Sequence, residues 1–254
     1  LQTSLNIVTL MYQQARYSQA LKRLIPLMEK FKARGDDYYY ANSLLMMGNI
    51  FNQQGDNKKA REYNILYVEK SKEMGYKEGI GGGNLNLGQL YHQKENYQKA
   101  LEHASVAKEI FESTGNAYEL TNTFITIGVI YKDMGQYSRS WDFYDQAIAL
   151  AEENGFKSRI SEIYLNQSDL LLLEEDFTDA VKKARKAFQM GQETRTYDRI
   201  QDAAFNLYEA NKAMGYNDRA LQYHEVYARY RDSVRSEQNS QQIQALKTNF
   251  EIRT

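Results

Sequence analysis

Cysteine is absent from the 254-residue sequence, proline and tryptophan occur once each, and there are only three histidines. Without cysteine there is neither a disulfide framework nor a thiolate metal site, and the redox compartment is left open. The three histidines, His92, His103 and His224, lie in different segments, so no metal is expected, and no nucleophile, base and orienting group converge to suggest catalysis. The chain reads as a non-enzyme with no cofactor. A surplus of charge is missing too: 32 basic residues face 33 acidic ones, a net charge of -1. Such a balance supplies no field to hold a polyanion, which argues against nucleic acid as a partner. No apolar run approaches the ~18 residues of a membrane span, and no basic-then-apolar leader opens the chain. The sequence begins at Leu1 and ends at Thr254 within a helical pattern, which reads as a piece of a longer polypeptide.

Hydrophobic residues make up 42% of the chain and charged residues 26%, a mixture suited to long amphipathic helices. Their arrangement is periodic. Ala20, Ala60, Ala100, Ser140, Ala180 and Ala220 recur at a spacing of 40 without a gap. Three positions before this column stand Tyr17, Tyr97, Tyr137 and Phe177; twelve before it stand Gly48, Gly88 and Gly128, replaced by Val8, Ser168 and Tyr208 in the other units. Gly35, Gly75, Gly115 and Gly155 mark unit ends, and Gly55, Gly135 and Gly215 fall halfway through, where a turn between two helices belongs. Within a unit the apolar spacing is helical, as in Phe124, Ile127 and Tyr131, then Tyr137, Trp141, Tyr144 and Ile148. Each unit is therefore two helices and two turns, and it buries its apolar face only by stacking on the next. Pro26, inside the second helix of the first unit, predicts a kink there. The tyrosines read as interhelical packing residues with a polar tip, and His224 as packed beside Tyr227.

The segments Leu87-Gly88-Gln89-Leu90-Tyr91 and Tyr97-Gln98-Lys99-Ala100-Leu101 resemble the tetratricopeptide repeat in their glycine, tyrosine and alanine spacing. The commonest unit of that family has 34 residues and a proline near its end. Units of 40 ending in glycine resemble the longer-helix variety found in peptide-binding regulators. The resemblance implies an all-α fold, a right-handed superhelical solenoid of about six helix-turn-helix repeats, over roughly 1–35, 36–75, 76–115, 116–155, 156–195 and 196–234, with an extra C-terminal helix over 235–254. The tail, including Gln242-Ile243-Gln244-Ala245-Leu246, resembles the end of the repeat region in Bacteroidetes-type signalling proteins. There the repeats are periplasmic, and a helix leads into a membrane span and then a histidine kinase or helix-turn-helix transcriptional regulator.

In such a fold the first helix of each unit lines a concave groove. Fourteen residues before the alanine column stand Asn6, Met46, Asn86, Thr126, Asn166 and Asn206. Asparagine is a poor helix former at interior positions, so something other than helix formation favours it. An amide both donates and accepts, which suits recognition of an extended peptide backbone, and peptide-binding members of the resembled family use asparagines this way. The same amides could instead bond between neighbouring helices or face water. Along the same face lie Asn42, Asn49 and Gln53, then Gln89, Gln93 and Asn122, and later Glu162, Asp169, Asp202 and Glu209. The change from amide to acid suits a ligand carrying lysine or arginine at that end, and equally a solvated acidic face.

Gly79 and Gly81-Gly82-Gly83 nearly spell a dinucleotide fingerprint, but Asn84 takes the place of the third glycine, no strand precedes it, and the period puts the triplet inside a repeat helix. It reads as a loosened helix, a hinge or room for a ligand. In the tail, Ile243, Leu246 and Phe250 form one narrow stripe, which suits either a capping helix or the start of a coiled coil that makes a homodimer. The functional expectation is a protein- or peptide-binding domain of a bacterial regulator; the alternative is a constitutive assembly scaffold.

Overall fold

The computed structural model describes residues 2–232; the expectations placed on the tail, including Ile243, Leu246 and Phe250, lie outside the described residues. The described chain is all-α and divides into two compact units, one ending at Thr114 and the other beginning at Gly115. The first unit holds α1 (Gln2–Gln13), α2 (Tyr17–Arg34), α3 (Asp37–Gln53), α4 (Asn57–Glu73), α5 (Lys77–His92) and α6 (Tyr97–Thr114). The second holds α7 (Ala117–Asp133), α8 (Tyr137–Glu153), α9 (Lys157–Leu173), α10 (Phe177–Thr194), α11 (Tyr197–Ala213) and a last helix, α12, over 217–232. Odd-numbered helices open each repeat and even-numbered ones close it.

The turns have one backbone solution. Gly35, Gly55, Gly75, Gly115, Gly135, Gly155 and Gly215 have positive φ, and where the twenty-residue beat falls on another residue the conformation is kept: Ala15 at 54°, Glu95 at 56°, Glu175 at 61° and Arg195 at 55°. At Gly35 the amide donates to the Lys32 carbonyl (3.2 Å) and the next amide, of Asp36, reaches back to Phe31 (3.0 Å). This pair of bonds satisfies carbonyls that a helix end would otherwise leave without partners. The longer bond recurs as Asp56 to Phe51, Gln136 to Tyr131 and Asp176 to Leu171. On the other side of the turn, Asp56, Asn96, Asn116 and Asp176 accept from the amide three residues on, at 3.1–3.2 Å, and so start the following helix.

The alanine column is buried in every repeat, Ala20 to Ala180 at 0% exposure and Ala220 at 5%. Where serine replaces it, at Ser140, the hydroxyl donates to the carbonyl of Gly128 (2.8 Å), so a buried polar group is satisfied across the helix pair. The glycine column lies against the second helix of its repeat, sixteen positions on at Gly48 and Gly128 and nearest the residue twelve on at Gly88. A Cβ on Gly48 would stand 2.6 Å from Nδ2 of Asn64, one on Gly88 3.1 Å from the carbonyl oxygen of Ala100, and one on Gly128 2.5 Å from Cε1 of Tyr144, whose ring is fully buried. In the last repeat both members are large, and Tyr208 packs on His224 with ring centroids 5.0 Å apart. His224 also lies beside Tyr227 (6.1 Å), as expected.

Helix α2 extends from Tyr17 to Arg34 with Pro26 inside it. One local expectation is revised. The glycines of α5 are packing residues in a continuous helix: a Cβ on Gly79 would meet Tyr76 and Ser71, on Gly81 Phe111 and Ile110, and on Gly83 Val68 and Tyr67, all at 3.0 Å or less. Glycine here lets α5 sit between α4 and α6; only Gly82 faces open space.

Two substitutions test these constraints by urea unfolding. Gly128→Ala forces the Tyr144 ring aside and is expected to cost roughly 1–3 kcal/mol. Glu175→Gly removes a side chain from a left-handed position and is expected to gain up to about 1 kcal/mol.

Candidate functional site

On the odd-numbered helices, positions spaced by four and then three form a stripe that keeps contact with solvent except at Thr126 and Asn206, which are buried. In the first unit the stripe reads Asn42, Met46 and Asn49 on α3, and Gly82, Asn86 and Gln89 on α5, all partly exposed. In the second it reads Asn122, Thr126 and Val129 on α7, Glu162, Asn166 and Asp169 on α9, and Asp202, Asn206 and Glu209 on α11. Asn42, Asn49, Asn86, Gln89, Asn122, Glu162, Asn166, Asp169, Asp202, Asn206 and Glu209 fall on this stripe, Gln53 and Gln93 lie one turn beyond it at the helix ends, and Asn6 holds the matching place on α1, exposed. Helical spacing carries these side chains to one face; what they do there differs.

Side chains of successive odd helices meet at an offset of 37, three short of the repeat. In the first unit Asn86 donates to Oδ1 of Asn49 (3.4 Å) and to Oδ1 of Asn64 (3.0 Å). Asn64 is buried on α4 and donates in turn to the Ala60 carbonyl at 2.8 Å. In the second unit Asn206, 5% exposed, donates to Asp169. The same offset pairs Lys132 with Asp169 (3.6 Å) and Arg199 with Glu162 (3.9 Å), and Arg159 closes on Glu162 at 2.8 Å from within α9. Asn86 and Asn206 therefore clasp neighbouring helices. Asn122 and Asn166 do not: the first donates to Glu119 (3.4 Å) and the second to the Glu162 carbonyl (3.0 Å), both on their own helix. Asn42 has no hydrogen-bond partner among the described residues.

Sequence reasoning missed the cations that answer the acids, Lys132, Arg159 and Arg199, and the buried amide of Asn64. The readable signal for Lys132 and Arg199 was the offset of 37, which pairs each with a carboxylate; searching only at the repeat length of 40 hides it. Glu162 and Asp169 are thereby neutralised, whereas Asp202 and Glu209 have no cation at ion-pair distance among the described residues.

Asp202 stands in a recess of about 300 Å³ lined by Leu165, Asp169, Gln201, Phe205, Asn206 and Tyr227. Solvent reaches it, yet the surrounding walls displace enough water to raise its carboxyl above the ordinary range, and the charges of Asp198 and Asp169 add to this while Arg199 opposes it. Elsewhere in the first unit, His103 stacks on Tyr91 with centroids 5.3 Å apart, its Nδ1 2.9 Å from Oδ1 of Asn84, and burial lowers its pKa. Among the described residues no group of three histidine or carboxylate side chains is placed to hold a metal ion, and no helix is long and apolar enough to cross a membrane.

Residues 83–153 match the family model of the tetratricopeptide repeat. No curated protein sequence matches the chain. Among solved structures, BtubC (BKLC) from P. vanneervenii is similar with a TM-score of 0.69 at 18% identity, over 89% of this chain and 92% of that one. Aspartyl phosphate phosphatase F from Bacillus subtilis is similar with a TM-score of 0.72 at 15% identity, over 97% and 69%. NprR, a quorum sensor from B. thuringiensis, seen in complex with its cognate peptide NprX, gives a TM-score of 0.68 at 16% identity, over 97% and 71%. At these identities the likeness is one of fold.

The division of the asparagines into clasping and idle ones predicts unequal effects on stability. Asn206→Ala leaves a carboxylate short of a donor and is expected to cost about 1–2 kcal/mol. Asn166→Ala replaces a back-bonded amide with a better helix former and should stay within about 0.5 kcal/mol of the parent. Equilibrium denaturation of both variants checks this. For Asp202 the folded pKa lies above the unfolded one, so its ionised form opposes folding at neutral pH, and that penalty fades as pH falls through the raised value. Asp202→Asn should accordingly be the more stable protein at pH 7 and lose its advantage in acid, as melting curves across pH would record.

Proposed function

On the premise that the chain carries tetratricopeptide repeats, we propose that it is a protein- and peptide-binding domain whose ligand lies along the stripes of the odd-numbered helices. The observation that carries this reading is the pair Asn42 and Asn166. Both occupy helix-interior positions for which asparagine is poorly suited, both remain partly exposed, and neither links one helix to another. Stability gives no reason for them, whereas an extended peptide offers alternating carbonyls and amides that such side chains can meet. The similarity to NprR, a quorum sensor seen with its cognate peptide, supports the same use of the fold.

The finer reading is a sensory or regulatory role in a bacterial signalling or transcription-regulating protein, without catalysis by this chain. It is supported by the likeness to NprR and by the resemblance of the tail to the repeat ends of such regulators. In that role a ligand acts only through a difference in its affinity for two arrangements of the repeats, and so biases whatever is joined to them.

The test is capture of a randomised synthetic peptide library by the purified chain and by two separate variants, Asn42→Ala and Asn166→Ala, each checked for unchanged helicity by circular dichroism. Losing one or two backbone hydrogen bonds predicts a three- to tenfold weakening, about 0.6–1.4 kcal/mol. Undiminished capture by both variants would move the ligand to another surface, and an absence of any captured peptide would end the reading.

A further inference from the structure

We infer that the recess formed by α9, α11 and α12 seats an arginine side chain of the bound peptide, with Asp202 as its counter-charge and Phe205 and Tyr227 as its aromatic wall. The inference rests on the peptide-binding reading and names what the ligand must carry. Three observations support it. First, the recess measures about 300 Å³, room for one long side chain. Second, its aromatic wall is open at Phe205, which is 41% exposed although large and apolar, and whose ring lies 5.1 Å from that of Tyr227 at 49°. Third, its charges are unequally satisfied. Asp169 already holds Lys132 and accepts from Asn206, whereas Asp202 accepts a neutral amide hydrogen bond from Gln201 at 3.1 Å and has no cation within ion-pair distance among the described residues. Arg199 is turned to Glu162, and Arg231, over the Tyr227 ring at 5.6 Å, is paired with Asp232 at 3.0 Å.

A carboxylate sharing a recess with an exposed phenylalanine ring selects a flat cation. Guanidinium can stack on an aromatic face while its edge N–H groups bond the carboxylate, and it is more weakly hydrated than an ammonium, so it loses less on entering a partly dry recess. Lysine satisfies the charge but not the stacking, and an aromatic or aliphatic side chain leaves Asp202 as it is. The raised carboxyl pKa of Asp202 fits this account, because desolvation and the charge of Asp198 both disfavour its anion, and an arriving cation would relieve them.

The experiment titrates the isotopically labelled 254-residue chain with N-acetyl-arginine methylamide, its neutral citrulline counterpart and the lysine analogue, following the ring signals of Phe205 and Tyr227 by NMR. Expected is saturable binding of the arginine probe, about tenfold weaker for citrulline and a few-fold weaker for lysine. Asp202→Asn should abolish the preference for arginine over citrulline, and Phe205→Leu, which keeps the charge, should abolish the preference for arginine over lysine. Equal binding of arginine and citrulline, no saturable shift, or an arginine preference that survives Asp202→Asn would overturn the inference. The randomised library separates this failure from that of the broader reading: captured peptides without an arginine-enriched position remove the inference alone, and no captured peptide removes both.

Discussion

A left-handed backbone residue every twenty positions is the constraint on which the other features depend. It ends one helix, satisfies that helix's last carbonyls and reverses the chain within a few residues, so that the next helix must lie alongside. Because the beat is constant, helix lengths are constant too, and equivalent side chains return to equivalent places. Glu95, Glu175 and Arg195 show how strong the requirement is: the conformation is imposed even where the residue does not favour it. The alanine and glycine columns then have a clear task, to let helices held at this spacing come close enough to share a core.

Much of this was legible in the sequence. The alanine column, the glycine turns and the helical spacing of Phe124, Ile127 and Tyr131 are one-dimensional signals, each fixed by backbone geometry within a helix or a turn. What could not be read were contacts set by the angle between helices. The glycines of α5 looked like a loosening because their neighbours, Phe111 on one side and Val68 on the other, come from different helices. Likewise the helical spacing groups the stripe in the sequence but does not assign roles along it: Asn86 and Asn206 are engaged across helices while Asn166 bonds only its own turn. The offset of 37 is one helical turn short of the repeat, the shift expected when successive helices are inclined to each other and touch off-centre. A search at 40 finds equivalent residues; a search at 37 finds touching ones.

The electrostatics of the second unit follow the same geometry. Read along the chain, Glu162, Asp169, Asp202 and Glu209 suggest a broad acidic surface. In space Glu162 and Asp169 are matched by cations arriving at the 37 offset, Asp202 and Glu209 have no cation at ion-pair distance among the described residues, and desolvation raises the Asp202 carboxyl. In the peptide-binding reading, charge recognition narrows from a surface to Asp202, with aromatic rings beside it that add shape to sign.

The separation of clasping from idle positions along one stripe also bears on how such a chain can change over time. A mutation at Asn86 or Asn206 disturbs the joint between two helices and is paid for in folding before any ligand is met. A mutation at Asn42 or Asn166 has no such toll. The stripe of each unit therefore holds two sets of sites with different freedom to drift, and a lineage can exchange one preferred ligand for another at the free sites while the joints keep the scaffold unaltered.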